Sequence, residues 1–340
     1  MATLRTLFVV TLFAGASAFA ADSSLLNLVM PDAQVLFGAN VEHIVNSPLG
    51  KEIGSQLQGK LPDLQQVVQK TGLDPVHDIK EVVIAATGKG QNGPALVVVR
   101  GSFDAEKIRA AVAGTGRKVE TYQGVQILDN PSETKGAFAF LDGSIAVGGD
   151  LDQVQAAIRR RSHPTTLPAQ LAARVAAISD RYDIWVVSAA SVSKMAEQIS
   201  GSPMKQASDL VKAVDQVSGG LKFTENLDLG VELTTHSPAE AQKLRDSLQF
   251  LISMAAASQK ASSSLDLSKL QLTAEAKTVR IGFTVTSAQL KKTYEEQMAR
   301  LQNGAQASQP APPKPPVQDT GLTIQTSERD MGTVVLSSNK

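Results

Sequence analysis

The chain of 340 residues contains no cysteine. This absence excludes disulfides, thiolate metal ligands, a cysteine nucleophile and a lipid-modified cysteine at a mature N-terminus. Aromatic residues are also scarce, at 4% with one Trp and three Tyr, which argues against a stacking surface for bases or sugars. The stability of the fold must therefore come from its apolar core, for which a chain of this length is sufficient.

An excess of charge of one sign is missing as well. The chain has 33 Lys plus Arg and 33 Asp plus Glu. Arg5 is the only charged residue among the first twenty, so the chain that follows them has 32 basic and 33 acidic residues, a net charge of −1. Such a chain lacks the basic surface that phosphate backbones require, and we expect no nucleic acid as a partner. Long apolar runs without charge are absent after residue 20, so we expect no transmembrane helix in the mature chain.

The first twenty residues have the three regions of a cleavable secretory signal. Arg5 supplies a positive start, Leu7 to Phe13 form an apolar run, and Ala18-Phe19-Ala20 is a small-x-small site. This pattern predicts cleavage after Ala20 and a mature chain that begins at Ala21. We expect the protein to be exported, to the periplasm or the medium.

The rest of the chain predicts an α+β fold of two similar units. Each unit has a strand, a helical region, two strands, a helix and then further strands. Val98 to Glu106 resembles Glu232 to Glu240 in pattern, and Ser144 to Val147 resembles Arg280 to Phe283. Short connections and apolar–polar alternation favour antiparallel sheets with helices packed on one face. The predicted divisions are a signal peptide at 1–20, a first unit at 21–163, a second unit at 164–302, a disordered or extended proline-rich linker at 303–321 and a tail at 322–340 that could form short strands.

Helix starts are marked by capping residues. Asp104 and Asp150 are predicted to cap the helices that follow them, and Ser237 opens a capping box with Glu240. Thr286, with Gln289 three residues later, has the same pattern. The helix after Ser237 is predicted to bury a stripe formed by Leu244, Leu248, Leu251 and Ala255.

Two motifs of known chemistry lack the elements that their chemistry requires, although Ser191 lies at a predicted strand-to-helix junction, the correct setting for an activated serine. Residues Gly88 to Gly93 satisfy G-x-G-x-x-G, but Pro94 and a valine-rich strand follow, whereas a dinucleotide site needs a helix there. We interpret the segment as a hairpin loop. Ser191 to Lys194 and Ser202 to Lys205 both fit the S-x-x-K of penicillin-recognising enzymes. Because Lys70-Thr71-Gly72 precedes both serines and no S-D-N follows, we interpret Ser191 as a helix cap.

Neither the histidines nor the charge clusters predict a site. The four histidines, His43, His77, His163 and His236, lack the i, i+4 spacing of a helical metal pair. Arg159 to Arg161 end a helix, where we expect a solvated cluster of cations that complements the helix dipole. The alternative is a contact with an anion or a membrane headgroup. Glu295-Glu296 show no acid–base arrangement. The sequence therefore assigns no catalytic, cofactor-binding or metal-binding residue.

An apolar strand followed by Arg-Gly-x-Phe-Asp and a helix covers Val97 to Ile108. Tyr122-x-Gly124 and the hairpin and helix at Ala137 to Ile158 follow it. This arrangement resembles large, uncharacterised families of bacterial extracytoplasmic proteins with a repeated α+β unit, over roughly residues 80–160. The resemblance implies a repeated α+β fold and an extracytoplasmic location. It carries over no catalytic residues.

These observations favour an exported, non-enzymatic protein that binds a ligand or supports the envelope. Its expected partner is an unknown envelope protein or an apolar ligand, and no cofactor is expected. The alternative is a periplasmic carrier of lipid or another apolar molecule, which requires an apolar cavity between sheet and helices. A third hypothesis, an extracytoplasmic hydrolase, requires a nucleophile, a base and an orienting group to converge.

Overall fold

A computed structural model describes residues 21–57, 68–87, 93–112, 117–130, 136–189, 191, 212–258 and 269–295. The strands are β1 Val35–Asn40, β2 Ile79–Ala86, β3 Ala95–Gly101, β4 Lys118–Tyr122, β5 Val125–Asp129, β6 Ala137–Phe140, β7 Ile145–Gly149, β8 Ile184–Ser188, β9 Val214–Phe223, β10 Asn226–Thr235, β11 Gln271–Glu275 and β12 Thr278–Thr286. The helices are α1 Ser23–Leu26, α2 Val41–Asn46, α3 Pro48–Leu57, α4 Ala105–Val112, α5 Leu151–Ser162, α6 Ala169–Ser179, α7 Pro238–Ser258 and α8 at 287–295; residues 68–71 are also helical.

The described strands form one twelve-stranded sheet in the order β11-β12-β10-β9-β8-β1-β2-β3-β7-β6-β5-β4. Each neighbouring pair is antiparallel. The predicted α+β class with antiparallel strands is confirmed. Within the described ranges, none of the helices combines the length and apolarity that a membrane crossing requires.

The strand order is repeated in the two halves of the sheet. The order β1-β2-β3-β7-β6 corresponds to β8-β9-β10-β12-β11, and the β4–β5 hairpin is added at the outer edge of the first half. The halves meet where β1 pairs with β8, with Gly38 opposite Trp185. The two predicted sheets are therefore joined edge to edge into one. Common ancestry and the boundary between 163 and 164 stay predictions.

The main core lies between one face of the sheet and three helices. Leu25 of α1, Val154 of α5 and Val175 of α6 are fully buried against strand residues such as Val83 and Val98. A second cluster joins Ala241 and Leu244 of α7 to Val279 of β12.

The two clusters lie on opposite faces of the sheet. Val187 belongs to the main core and is opposite Ser218, whereas the second cluster uses the neighbouring residue Val217. Since successive strand residues point to opposite faces, α7 packs on the face away from α1, α5 and α6. The expectation that the helices share one face is thus not met by α7. The predicted stripe on α7 also ends at Leu248, because Leu251 is 41% exposed.

Three of the predicted helix caps are present. Asp104 accepts a hydrogen bond from the Lys107 amide at 3.0 Å, and the Ser237 hydroxyl accepts one from the Glu240 amide at 3.3 Å. Thr286 and Gln289 form a reciprocal capping box, with donor–acceptor distances of 3.0 and 3.3 Å. Asp150 is different, because its carboxylate accepts from the Ala95 amide of β3 at 2.8 Å and makes no side-chain cap.

Candidate functional site

Two concave surfaces among the described residues bring together side chains from elements that are distant in sequence. Both lie at the end of the sheet where β1 ends and β8 begins, since the Asn40 amide donates to the Asp183 carbonyl there at 2.7 Å. We call the first the helix groove, between α3 and α8. We call the second the central cleft, which the start of the described chain enters.

The helix groove has a volume of about 210 Å³ and a mainly apolar lining. Its lining residues are Leu49, Glu52 and Ile53 from α3, and Ser287, Leu290, Lys291 and Tyr294 from α8. The two charged residues, Glu52 and Lys291, have opposite signs. The groove therefore offers apolar contacts together with one carboxylate and one ammonium group.

Local hydrogen bonds fix both walls of this groove. The Ser47 hydroxyl accepts from the Gly50 amide at 2.9 Å, and the Leu49 amide donates to the Thr224 carbonyl at 3.0 Å. Gly50 is required at the α2–α3 corner, because a Cβ there would lie 1.8 Å from the Ile44 carbonyl oxygen. The capping box at Thr286 starts the opposite wall directly after β12. The α3 wall is thus held by the α2–α3 corner and by the turn between β9 and β10, and the α8 wall begins at the end of β12.

The central cleft has a volume of about 270 Å³ and a polar lining. Its lining includes the aromatic residues Tyr182 and Trp185, whose rings lie over Gly230 of β10 and Gly38 of β1, respectively. A Cβ on Gly38 would come within 2.2 Å of the Trp185 ring, and one on Gly230 within 1.8 Å of the Tyr182 hydroxyl. Burial raises the pKa of Tyr182, although the nearby Arg181 opposes this effect.

An ion-pair network flanks Tyr182. Glu232 of β10 accepts hydrogen bonds from Arg181 at 2.8 Å and from Arg280 at 3.1 Å. Burial alone raises the pKa of Glu232, but the two guanidinium groups outweigh it and hold the pKa below its usual value. The network ties α6 to β10 and β12.

The histidines that the sequence analysis weighed as metal ligands have different partners. The Nδ1 atom of His43 is 2.7 Å from an oxygen of the buried Asp183, and the other oxygen of Asp183 accepts from the Phe223 amide. His77 pairs with Asp74 at 2.7 Å, and His236 lies 3.5 Å from Glu240. Within the described part of the chain, no three His, Cys, Asp or Glu side chains group in a way that would hold a metal ion.

The three arginines at the end of α5 diverge. Arg159 donates to the Tyr122 hydroxyl at 2.6 Å, and Arg161 pairs with Asp142 at 3.1 Å. Arg160 is buried and donates to the Leu28 carbonyl at 3.1 Å, and its burial lowers its pKa. The expected solvated cluster is therefore wrong for Arg160, which ties α5 to the segment after α1.

Two of the rejected motifs have the predicted contexts, whereas the predicted helix cap at Ser191 stays a prediction because residues 192–211 lie outside the described residues. Ala86 pairs with Ala95 across β2 and β3, so the G-x-G-x-x-G segment connects the strands of a hairpin. Gly72 has a φ of 71° directly after helical residues 68–71, and so ends that helix. Lys194, Ser202 to Lys205 and the linker and tail beyond residue 302 lie outside the described residues.

Comparison with known proteins gives structural likeness alone. No family model and no curated protein matches the chain. Crystal form I of TP0453 has a TM-score of 0.48 and 12% identity, over 81% of this chain and 98% of that chain. Crystal form IV of TP0453 has the same TM-score and identity, over 79% and 95% of the two chains. A likeness at this level assigns no function to this chain.

Proposed function

We propose that the chain is an exported, non-enzymatic binding protein whose helix groove receives an apolar segment of its ligand. The observation that carries the proposal is the lining of the groove. Ile53 and Leu290 present partly exposed apolar surface at a concave site, next to the buried Leu49, and burial of such surface on binding is favourable. The signal-like segment up to Ala20 supports export.

The size of the groove restricts what it can hold. Its volume of about 210 Å³ is below the range of about 300 to 1,000 Å³ that is common for drug-sized ligands. A few apolar side chains or a short stretch of alkyl chain match this volume, whereas a whole lipid exceeds it. The charged pair of Glu52 and Lys291 adds polar contacts for a ligand that continues beyond the apolar segment.

The second candidate function is a carrier of lipid or another apolar molecule. The apolar lining of the groove favours it, because such a lining accepts an alkyl chain as readily as side chains. The tightly filled main core weighs against it, since Leu36, Leu96 and Ile127 are fully buried where a lipid cavity under the sheet would lie. Stoichiometric lipid in an organic extract of the purified exported protein would favour the carrier.

Binding at the groove is tested by titration with an apolar fluorescent probe. We expect the mature protein to enhance the fluorescence of the probe, and Leu290→Glu to weaken binding about tenfold or more, because a carboxylate would be buried against the ligand. The matched control is Val119→Glu on β4, which places the same charge at a residue that is 58% exposed. Equal loss in both variants, or no binding at all, would refute the groove as the site.

Export is tested separately, by N-terminal sequencing of the protein recovered outside the cytoplasm. The expected first residue is Ala21. Recovery of a chain that still begins at Met1, or retention of the protein in the cytoplasm, would overturn the proposed export and cleavage.

A further inference from the structure

The first two described residues are bound into the central cleft. The Ala21 backbone nitrogen donates to the hydroxyl of Ser179, at the end of α6, at 2.8 Å. The Asp22 amide donates to Glu81 of β2 at 3.2 Å. The Asp22 carboxylate pairs with Arg100 of β3 and accepts from the Ser24 amide at 2.8 Å. The start of the predicted mature chain is thus attached to a helix and to two adjacent strands.

The side chains that line this cleft carry an excess of negative charge. Asp22, Glu42 and Glu81 supply three carboxylates, whereas Lys80 and Arg100 supply two cations. Burial raises the pKa of Glu81, and the hydrogen bond from the Asp22 amide and the attraction of Arg100 oppose this effect only in part. One additional cation beside Glu81 would balance the charge of the cleft and stabilise the ionised carboxylate.

We propose that the central cleft is the binding site for the chain's own α-ammonium group at Ala21, formed when the signal is removed. This inference rests on the proposed export and on cleavage after Ala20. A signal peptidase would add one water across the Ala20–Ala21 amide. The C–N bond breaks, the hydroxyl stays on the Ala20 carbonyl carbon as a carboxylic acid that loses its proton, and the amine takes up a proton at neutral pH.

Cleavage changes what the Ala21 nitrogen can donate. The amide nitrogen has one hydrogen, which is directed to Ser179. An ammonium nitrogen has three hydrogens and a full positive charge, so two further donors become available in a cleft that Glu81 lines. The neighbouring Asp22 amide already donates to Glu81, which brings the new charge within one residue of this carboxylate. The mature chain would therefore hold its N-terminus more tightly than the precursor does.

The test compares two forms of the mature chain 21–340, one with a free Ala21 amine and one with an acetylated Ala21. Both are made with Glu81 and with Glu81→Gln. We expect acetylation to lower the thermal midpoint by about 2 to 4 °C. Glu81→Gln should lower the midpoint of the free form but leave or raise that of the acetylated form, where the buried carboxylate has no ammonium beside it. Glu225→Gln, in the exposed turn between β9 and β10, is the control and should act equally in both forms.

The pH dependence has a defined sign. If the α-amine pairs with Glu81 as proposed, its folded-state pKa would lie above its unfolded value of about 7.7 to 8.0. The stabilisation is therefore complete below that range and is lost as the pH rises through the folded value. The other groups facing the amine are Asp22, Glu42, Lys80, Arg100 and Tyr182. The difference between free and acetylated forms should close at alkaline pH.

Two results would overturn the inference. If acetylation leaves the midpoint unchanged, or if Glu81→Gln acts equally in both forms, the cleft does not bind the ammonium group. These chains have defined termini, so this outcome is independent of export. If N-terminal sequencing shows that the exported protein begins at another residue, the proposed maturation fails even where the pairing is measured.

Discussion

At the scale of single residues, the fold depends on glycines whose role the sequence does not reveal. Gly38 and Gly230 leave room for Trp185 and Tyr182, so that the Trp185 ring lies over β1 and the Tyr182 ring over β10. A glycine in a strand pattern predicts only a bulge or the close approach of another group to the backbone. Which side chain approaches depends on the strand order. The residue pattern could therefore mark these positions as unusual but could not identify the rings that fill them.

We predict that Gly38→Ala destabilises the protein. The added methyl group would meet the Trp185 ring, and overpacking of this kind costs about 1 to 3 kcal/mol. The measurement is urea unfolding, with Gly54→Ala in α3 as the control. A Cβ at Gly54 meets nothing within 4 Å, and alanine is favoured in a helix, so the control should be neutral or stabilising. Equal effects of the two variants would contradict the proposed packing.

A second prediction concerns Glu232 and its two arginines. Since its folded-state pKa is lowered, the ionised Glu232 contributes stability above its unfolded pKa and loses it as the pH falls through the folded value. The thermal midpoint of the native protein should thus exceed that of Glu232→Gln near neutral pH, and the difference should shrink in acid. A difference that is constant with pH, measured by calorimetry, would show that the carboxylate charge has no such role.

At the scale of elements, local sequence patterns predicted the starts of helices and the turns well. They predicted contacts between residues distant in sequence poorly. The caps at Asp104, Ser237 and Thr286 use residues within one turn and were found as predicted. Asp150 has the same pattern, but its carboxylate is taken by the Ala95 amide from a strand far away in sequence. The helix groove was not predicted either, because its walls are separated by most of the chain.

The capping box of α8 provides a prediction at this scale. Thr286→Ala removes a hydroxyl that accepts from the Gln289 amide, and loss of such a cap costs about 1 kcal/mol. The amides of the first turn of α8 should exchange with solvent faster, while those of α5 should be unchanged. Because α8 forms one wall of the helix groove, the affinity for the apolar probe should fall as well. Unchanged exchange in α8 would mean that the cap does not hold this helix.

At the scale of the whole molecule, the sequence predicted repeated units but not their junction. The antiparallel class and the order of elements follow from alternation and short connections. The pairing of β1 with β8 could not be predicted. Each is the edge strand of its own half, and the sequence of an edge strand does not indicate which strand it pairs with. The placement of α7 on the face away from α1, α5 and α6 depends on the pairing register of the strands. A shift of one residue would move the apolar side chains to the other face.

The continuous sheet predicts that both halves unfold together. Trp185 in β8 is the one tryptophan of the chain and lies opposite Gly38 at the junction, so its fluorescence reports on the pairing of the halves. We expect the fluorescence and far-ultraviolet circular dichroism transitions to coincide in urea. Two separated transitions would show that each half is stable without the other.

The central claim is that the helix groove binds an apolar segment of a ligand outside the cytoplasm. Its most direct test is a photoreactive amino acid at Ile53, inside the groove, activated in living cells that export the protein. The same group at Val119 is the control. The account predicts a discrete adduct from Ile53 that is absent from Val119 and is lost when Leu290→Glu is added. Identical adducts from both positions, or an adduct that survives Leu290→Glu, would contradict it.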